Sequence, residues 1–334
     1  MVTPSKKLAD TFGRVAKKLR ISITDRCNMR CIYCMPANNT EWFEQNNILS
    51  YDEIIRIVTI LADLGVERIR ITGGEPLIRP KIILLIKQLS TIDGIKSISM
   101  TTNGLILHSM AADLKDAGLV SINVSLDTFK ENRFKAISGV HGLQTVLAGI
   151  QAAAAAGLIV KVNAVIIRGW NDDEIVDFAE FARKSGHTVR FIEFMPLDGT
   201  SLWEQDLVVS KVEIIQKLAS GVNELVPLHN NISEPAKLFS FIDGKGILGF
   251  IPSITEPFCS NCDRLRLTSD GRLLTCLYEN PGYDLKNLLR RGKSNDDIEK
   301  YILECIMRKP EGIISLIRSK SLRPTMNLMY RIGG

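Results

Sequence analysis

The chain has 334 residues, 45% of them apolar and 24% charged, with only 12 Pro and 24 Gly. That composition supports a full hydrophobic core and excludes a disordered tail or a fibre. Forty-two Lys and Arg against 37 Asp and Glu leave a net charge of +5, too mild for a histone-like nucleic-acid coat, and seven cysteines are too few for a disulfide scaffold.

The first twenty residues carry six basic side chains (Lys6, Lys7, Arg14, Lys17, Lys18, Arg20) against Asp10. No apolar segment follows them, so no secretory signal is expected. Strands are predicted to start near Leu19, Val66, Ile95, Val120, Ile159 and Thr188. Helices are predicted over 52–64, 81–90, 109–117, 142–156 and 172–185, bounded by Gly, Asn, Asp or Pro signals. The uncharged run 143–160 has membrane-spanning length, but Gln144, Thr145 and Gln151 interrupt it. Gly157 then divides an Ala-rich helix from a strand-like segment, so a soluble protein is expected. Repeated βα units imply a parallel sheet, either a barrel or an open doubly wound sheet. After Glu193 the regularity stops, and hairpin-like strands around 238–251 and 264–276, a helix near 295–307 and a basic tail follow. A soft boundary near 195–210 divides the chain into modules over 1–200 and 201–334.

The cysteines stand at 27, 31 and 34, at 259, 262 and 276, and at 305. In a chain without a signal peptide, such tight triplets suggest metal or cluster ligands. The first, Cys27-Asn28-Met29-Arg30-Cys31-Ile32-Tyr33-Cys34, follows the first predicted strand with spacing C-x3-C-x2-C. Three thiolates in one loop can bind three irons of a cubane and leave the fourth without a protein ligand, whereas a structural zinc site needs four ligands. The second triplet, C-x2-C-x13-C, again lacks an obvious fourth ligand. Cys305 lies in an apolar helical stretch and reads more naturally as core. In Arg264-Leu265-Arg266-Leu267, strand alternation puts both guanidinium groups on one face, a pair suited to a triphosphate. Arg20, Arg70 and Lys161 lie on strands of a sheet buried on both faces, where a charge needs an anion or an acid partner. The four histidines show no metal spacing.

C-x3-C-x2-C with an aromatic residue before the last cysteine resembles the radical S-adenosylmethionine (SAM) enzymes. The segment Leu19 to Pro36, the run Arg68-Ile69-Arg70-Ile71-Thr72-Gly73-Gly74-Glu75-Pro76-Leu77 and the stretch from Phe258-Cys259 to Cys276-Leu277 together resemble the GTP 3′,8-cyclase family of molybdenum cofactor biosynthesis. The resemblance covers nearly the whole chain. It implies an incomplete (βα)6 TIM-like barrel with a smaller C-terminal α+β domain carrying a second iron-sulfur cluster. Two 4Fe-4S clusters and SAM are the implied cofactors: Cys27, Cys31 and Cys34 would hold the SAM cluster, and Cys259, Cys262 and Cys276 the substrate cluster. Tyr33, Gly74, Ser125 and Met195 would contact SAM, and Arg20, Arg70, Thr101, Lys161, Arg264, Leu265 and Arg266 would bind GTP. Arg264, Arg266 and the terminal Gly333 and Gly334 would act in catalysis, with the Gly-Gly tail threaded into the site.

The implied reaction converts GTP to (8S)-3′,8-cyclo-7,8-dihydroguanosine 5′-triphosphate. A 5′-deoxyadenosyl radical would take the hydrogen from ribose C3′, and that carbon would attack guanine C8. The implied partners are a small electron donor such as flavodoxin or ferredoxin, the downstream cyclic pyranopterin monophosphate synthase, and a second copy in a homodimer, in the cytoplasm or an organelle, with no nucleic acid or membrane. The chain departs from the family at Lys309-Pro310-Glu311-Gly312-Ile313, where a His is frequent, at Glu234 before Pro-Ala, where Gly is usual, and at Asp263, where Asn is frequent. Two rivals are a peptide maturase with an auxiliary cluster, which has no need of Arg264 and Arg266, and a metal-dependent RNA-binding protein. The second would interleave stacking aromatics with its cations, but aromatics are 6% here and do not gather at the basic positions.

Overall fold

The computed structural model describes residues 7–35, 41–197, 202–229, 233–318 and 329–333. Strands β1 (Lys18–Ser22), β2 (Arg68–Thr72), β3 (Ser97–Thr102), β4 (Leu119–Ser125), β5 (Ile159–Ile166) and β6 (Thr188–Glu193) are neighbours in sequence order, each parallel to the next. Helices α1 (Tyr51–Asp63), α2 (Ile82–Ser90), α3 (Leu107–Asp116), α4 (Glu131–Ser138), α5 (Leu143–Ala155) and α6 (Ile175–Ser185) connect them. The alternation of the sequence is thus realised as an α/β fold with parallel strands in consecutive order.

Local chemistry starts and stops these elements. Ser50 and Glu53 cap α1 reciprocally, each side chain accepting from the other's backbone N–H, which satisfies two donors that a helix start leaves orphaned. Ile54, Ile57, Val58 and Leu61 then recur on one face and are fully buried, each contributing roughly 1.5–3 kcal/mol by leaving water. In β1 and β2, Leu19, Ile21, Ile69 and Ile71 belong to the same core as these helix residues. Lys18, Arg20, Arg68 and Arg70 therefore project from the opposite face of the sheet. Gly157 takes a left-handed φ of 79° after α5, which lets the chain turn directly into β5.

The remaining elements are α7 (Lys211–Gly221), β7 (Leu225–Pro227), β8 (Lys237–Phe241), β9 (Ile247–Ile251), β10 (Arg264–Leu267), β11 (Arg272–Leu274), β12 (Tyr283–Asp284), α8 (Leu285–Arg290), α9 (Asn295–Ile306), α10 (Ile313–Arg318) and α11 (Met329–Ile332). The two expected hairpins form as β8–β9 and β10–β11. Among the described residues, however, they extend the barrel sheet: β9 lies parallel beside β6 and β10 parallel beside β1. Both edges of the six-strand unit are thereby covered by C-terminal strands, which removes exposed pairing templates. Among the described residues no helix is long and apolar enough to cross a membrane.

Candidate active site

The inward faces of the strands wall a cavity of about 290 Å³. Its lining includes Lys18, Arg20, Arg68, Arg70, Lys161, Arg190 and Arg264, and among the lining residues only Glu234 is acidic. The parallel register sets Lys18 beside Arg68 and Arg264, and Arg20 beside Arg70 and Arg266, so like charges stand in adjacent rows, an arrangement that costs stability unless an anion intervenes. Burial, then Arg266, Arg70 and Arg264, push the Arg20 guanidinium well below its usual pKa. Burial, then Arg190, bring Arg70 to about 10, and burial, then Arg190 and Arg70, bring Lys161 to about 8. The Nε atoms of Arg190 and Arg264 are buried without a hydrogen-bond partner in the described structure. Crowded and under-paired cations of this kind call for a polyanion.

Of the residues singled out in the sequence, Arg20, Arg70, Lys161 and Arg264 line this cavity. Thr101 is absent from its lining and its hydroxyl accepts from Asn123 Nδ2 at 3.5 Å. The Leu265 side chain is fully buried in the hydrophobic core, which leaves only its backbone to meet a ligand. Arg190 went unremarked and Lys18 was noted only as one of the N-terminal basic residues, although each occupies an inward position of a strand, the same alternation that picks out Arg20 and Arg70.

Past the C-terminal end of β1, Cys27, Cys31 and Cys34 share one loop. The Cys31 carbonyl accepts from the N–H of Cys34 at 2.9 Å and of Met35 at 3.0 Å, a helical turn that brings the last two thiols to one side. Burial raises Cys27 to about 11 and Cys34 to about 12, and burial with Cys34, Asp127 and Cys27 raises Cys31 well above its ordinary value. Three such thiols persist as thiolates only beside strong positive charge. An iron-sulfur cubane supplies it, so the donor set fits that cofactor. Among the described residues no three Cys, His, Asp or Glu side chains surround a single ion position, whereas a cubane asks each thiolate to reach a different iron.

The Gly73-Gly74 turn closes against this loop. A Cβ at Gly73 would fall 2.7 Å from the Thr24 carbonyl oxygen and one at Gly74 would fall 2.2 Å from that of Arg26, so only glycine permits the approach. The Gly74 N–H donates to Thr24 O at 2.7 Å and the Glu75 N–H to Arg26 O at 2.8 Å. With those amides engaged, the turn offers a ligand's ammonium group its carbonyl oxygens. Glu75 is buried, and its carboxylate accepts from Leu77 N–H at 3.0 Å, the Thr102 hydroxyl at 2.7 Å and Asn103 N–H at 2.7 Å. Burial, opposed by these bonds, raises it to about 7. Asn103 in turn donates from Nδ2 to Asn28 Oδ1 at 2.7 Å and meets Cys27 Sγ at 3.8 Å. Tyr33 and Ser125 line a small cavity with Cys31, Asn103 and Asp127. The Tyr33 hydroxyl donates to Asp127 Oδ2 at 2.6 Å, and burial raises Asp127 to about 6. Glu75 and Asp127 are both missing from the sequence-based set.

Cys259, Cys262 and Cys276 line a third cavity together with Arg264, Arg266, Met195 and Lys309. Met195 thus stands on the wall with the second triplet and not on the one with Tyr33 and Ser125. Arg14 donates to the carbonyls of Cys259 at 2.9 Å, Pro310 at 2.7 Å and Glu311 at 2.6 Å. Lys309 donates to the carbonyls of Cys262 at 2.9 Å and Arg264 at 3.1 Å. A Cβ on Gly312 would lie 2.5 Å from that of Cys259, so the Lys309–Gly312 stretch wraps the cysteine turn closely. Burial by itself would raise the Cys262 thiol, but Arg264 and Lys309 bring it down to about 7, whereas burial raises Cys276 to about 11. These donors also fit a cluster. Cys305 is buried in the core of α9, outside this lining.

By strand register the two triplets lie beyond opposite ends of the parallel strands. Arg264 pairs with Lys18, so Cys262 precedes the first row of β10, while Cys27 follows the last row of β1. The six residues from Cys262 to the level of Ser22 span about 20 Å at 3.3 Å per residue. The tail closes the remaining side. Arg266 donates to the Gly333 carbonyl, and to that of Ile332 at 3.4 Å. Gly333 has a φ of 78°, and a Cβ there would lie 1.9 Å from Thr72 Oγ1. Tyr330 packs edge-on to Trp42 at 5.8 Å, and Arg331 donates to Glu41 O at 2.7 Å. Gly334 lies outside the described residues.

Residues 21–182 match the family model described as Radical SAM superfamily, and residues 187–314 match Molybdenum Cofactor Synthesis C. The GTP 3′,8-cyclase of Thermodesulfovibrio yellowstonii is 46% identical over 329 residues, covering 98% of this chain and 100% of the relative. Those of Rhodopirellula baltica and Moorella thermoacetica are 42% and 43% identical, covering 98% and 91% of this chain and 92% and 94% of theirs. Streptococcus suis SuiB bound to S-adenosylmethionine is 16% identical with a TM-score of 0.61, over 91% of this chain and 75% of that one, which shows a shared fold.

Proposed function

The chain belongs to the GTP 3′,8-cyclase family of radical SAM enzymes, and from that premise we propose how its own residues carry the reaction. It is an enzyme that converts GTP in molybdenum cofactor biosynthesis, with a 4Fe-4S cluster and SAM as cofactors. In the proposed reaction a hydrogen atom leaves ribose C3′, C3′ joins guanine C8 as the C8–N7 double bond opens, and one electron from the donor with one proton completes N7–H, giving (8S)-3′,8-cyclo-7,8-dihydroguanosine 5′-triphosphate. The observation that carries this reading is the cation-lined cavity, which shares Arg264 with the wall that bears Cys259, Cys262 and Cys276.

A cluster on Cys27, Cys31 and Cys34 with SAM supplies, when bound, a 5′-deoxyadenosyl radical by one-electron cleavage. Tyr33, Gly74 and Ser125 hold SAM in this reading, with Glu75 and Asp127 fixing the turns that present them, and Met195 meets SAM from the wall that carries the second triplet. Arg20, Arg70, Lys161 and Arg264 take the triphosphate, Thr101 and the Leu265 backbone complete the GTP contacts, and Cys259, Cys262 and Cys276 would hold a second cluster that would supply a binding site for the guanine base. Arg266 and the tail at Gly333 shut the cavity, holding ribose and base in near-attack geometry and keeping out water and stray hydrogen donors. Residues 1–200 form the radical-generating module and 201–334 the auxiliary-cluster and GTP-binding module, with both contributing contacts to GTP. A flavodoxin- or ferredoxin-like donor, a homodimer and delivery of the product to cyclic pyranopterin monophosphate synthase complete the reading.

The test is an anaerobic reaction of the iron-sulfide-reconstituted protein with SAM, a reductant and GTP deuterated at C3′. Deuterium is expected in the 5′-deoxyadenosine. Deoxyadenosine formed without deuterium and without dependence on GTP would overturn the substrate assignment.

A further inference from the structure

Glu234 is the one acid among the residues lining the cationic cavity. Its carboxylate lies 2.9 Å from Lys18 Nζ and 3.4 Å from Arg68 Nη1, and Lys18 also donates to the neighbouring Ser233 hydroxyl at 3.0 Å. Arg70 and Arg190, further along the same wall, act on the same carboxylate. The Glu234 side chain is 34% exposed and that of Lys18 15%, so the acid sits at the rim while its partner points inward.

Resting on the assignment of this cavity to GTP, we propose that Glu234 is an internal counter-anion that the terminal phosphate of the nucleotide replaces, so that the site senses the third phosphate. An ion pair whose acid is one-third exposed at the rim is weaker than a fully buried one and exchanges more readily. A phosphate brings more charge and accepts forked bonds from several arginines at once. Until it arrives, Glu234 neutralises Arg68 and shares Lys18 with Asp263, whose Oδ2 lies 3.1 Å from Lys18 Nζ. A shorter nucleotide that does not reach these two cations leaves the pair intact and gains nothing from its removal. A triphosphate must displace the carboxylate, and Glu234 therefore taxes long nucleotides selectively.

Equilibrium binding of GTP, GDP and GMP to the anaerobic, iron-loaded enzyme tests this. Glu234→Gln should tighten GTP about fivefold, as expected for release of one such ion pair, and leave GMP within about twofold. Glu234→Asp should keep the wild-type ranking. Lys18→Gln should weaken GTP and spare GMP, which provides an independent arm should the Glu234 variant fold poorly. Equal weakening of all three nucleotides by Glu234→Gln would make the residue a structural strap, and equal tightening would make it a general field effect. Either outcome overturns the proposal while leaving the GTP site standing. If Arg70→Gln binds GTP as tightly as the wild type, the assignment of the cavity itself fails, and the proposal with it.

Discussion

Substituting Gly333 by Ala tests whether the tail belongs to the active site. The added Cβ would lie 1.9 Å from Thr72 Oγ1 and 3.0 Å from Thr72 Cβ. Reaching an ordinary contact of about 3.5 Å requires the tail to retreat by roughly 1.5 Å. The φ of 78° adds about 1–2 kcal/mol for a residue with a Cβ. Both effects pull the Gly333 carbonyl off Arg266. A displacement of that size in a positioning element costs about a hundredfold in rate, whereas undocking a few terminal residues moves the melting temperature by no more than about 2 °C. Anaerobic turnover of GTP, followed as nucleotide product and 5′-deoxyadenosine, should therefore fall about a hundredfold with little change in melting. Thr72→Ala removes the nearest atom, so the double variant should recover part of the loss, read as a coupling in a double-mutant cycle. Wild-type turnover by Gly333→Ala would refute the placement of the tail. A fall in activity matched by a large fall in melting temperature would refute the claim that its role is positional.

The two triplets should separate experimentally. Cys34→Ala should abolish SAM cleavage, and Cys276→Ala should lose about half of the iron, in line with one cubane per triplet, yet still form 5′-deoxyadenosine without nucleotide product; loss of cleavage in both variants would count against distinct roles. Lys161, lowered to about 8 by burial and then Arg190 and Arg70, is charged below that pH in the free enzyme, so GTP affinity should weaken as pH rises above 8 and Lys161→Gln should remove that dependence. The same shift means that the unfolded chain holds the extra proton between about 8 and 10.5, so the contribution of Lys161 to stability rises across that window; a thermal-melt difference between wild type and Lys161→Gln of opposite slope would contradict the burial assigned to it. Arg190→Gln, which removes a buried guanidinium with an unpartnered Nε, should weaken GTP about tenfold or more, the worth of a charge-assisted bond, in a binding measurement by calorimetry.

Much of this site is legible because strand alternation is a local rule. Arg20 and Arg70 face inward for the same reason that Leu19, Ile21, Ile69 and Ile71 face the helices, and the same rule, carried to β6 and the first residue of β1, reaches Arg190 and Lys18. Glu75 is visible in the Gly-Gly-Glu-Pro run, but its role depends on Thr102 and Asn103, which arrive from the next strand and leave no trace around residue 75. Asp127 becomes a partner of Tyr33 only when the cysteine loop folds over the end of β4. Helix α4 has Lys130 at its N-cap, where the side chain makes no cap bond, and so lacks the start signal that identifies a short helix. By contrast, α7 carries a reciprocal Ser210–Glu213 cap, a local signal present in the sequence but passed over. The parallel pairing of β9 with β6 and of β10 with β1 joins segments far apart along the chain and is fixed by tertiary packing, which no window of residues reports.

The edge pairing that the sequence conceals is also what makes the cavity a site. A six-strand parallel unit by itself would leave Arg20 on an edge strand, in contact with water that would screen its charge. Laying β10 beside β1 adds Arg264 and Arg266 in register with Lys18 and Arg20, and the hairpin partner β11 returns the chain so that Cys276 comes level with Arg264. One hairpin therefore delivers two arginines and a cysteine of the second triplet to the same wall. The cost is a row of buried like charges, visible in the lowered pKa of Arg20, Arg70 and Arg266. A bound polyphosphate relieves that repulsion, and its binding should in turn stabilise the fold. Thermal melting of the iron-loaded protein should accordingly rise with GTP far more than with guanosine. An equal rise with both would mean that the base, and not the phosphates, meets the strained part of the wall.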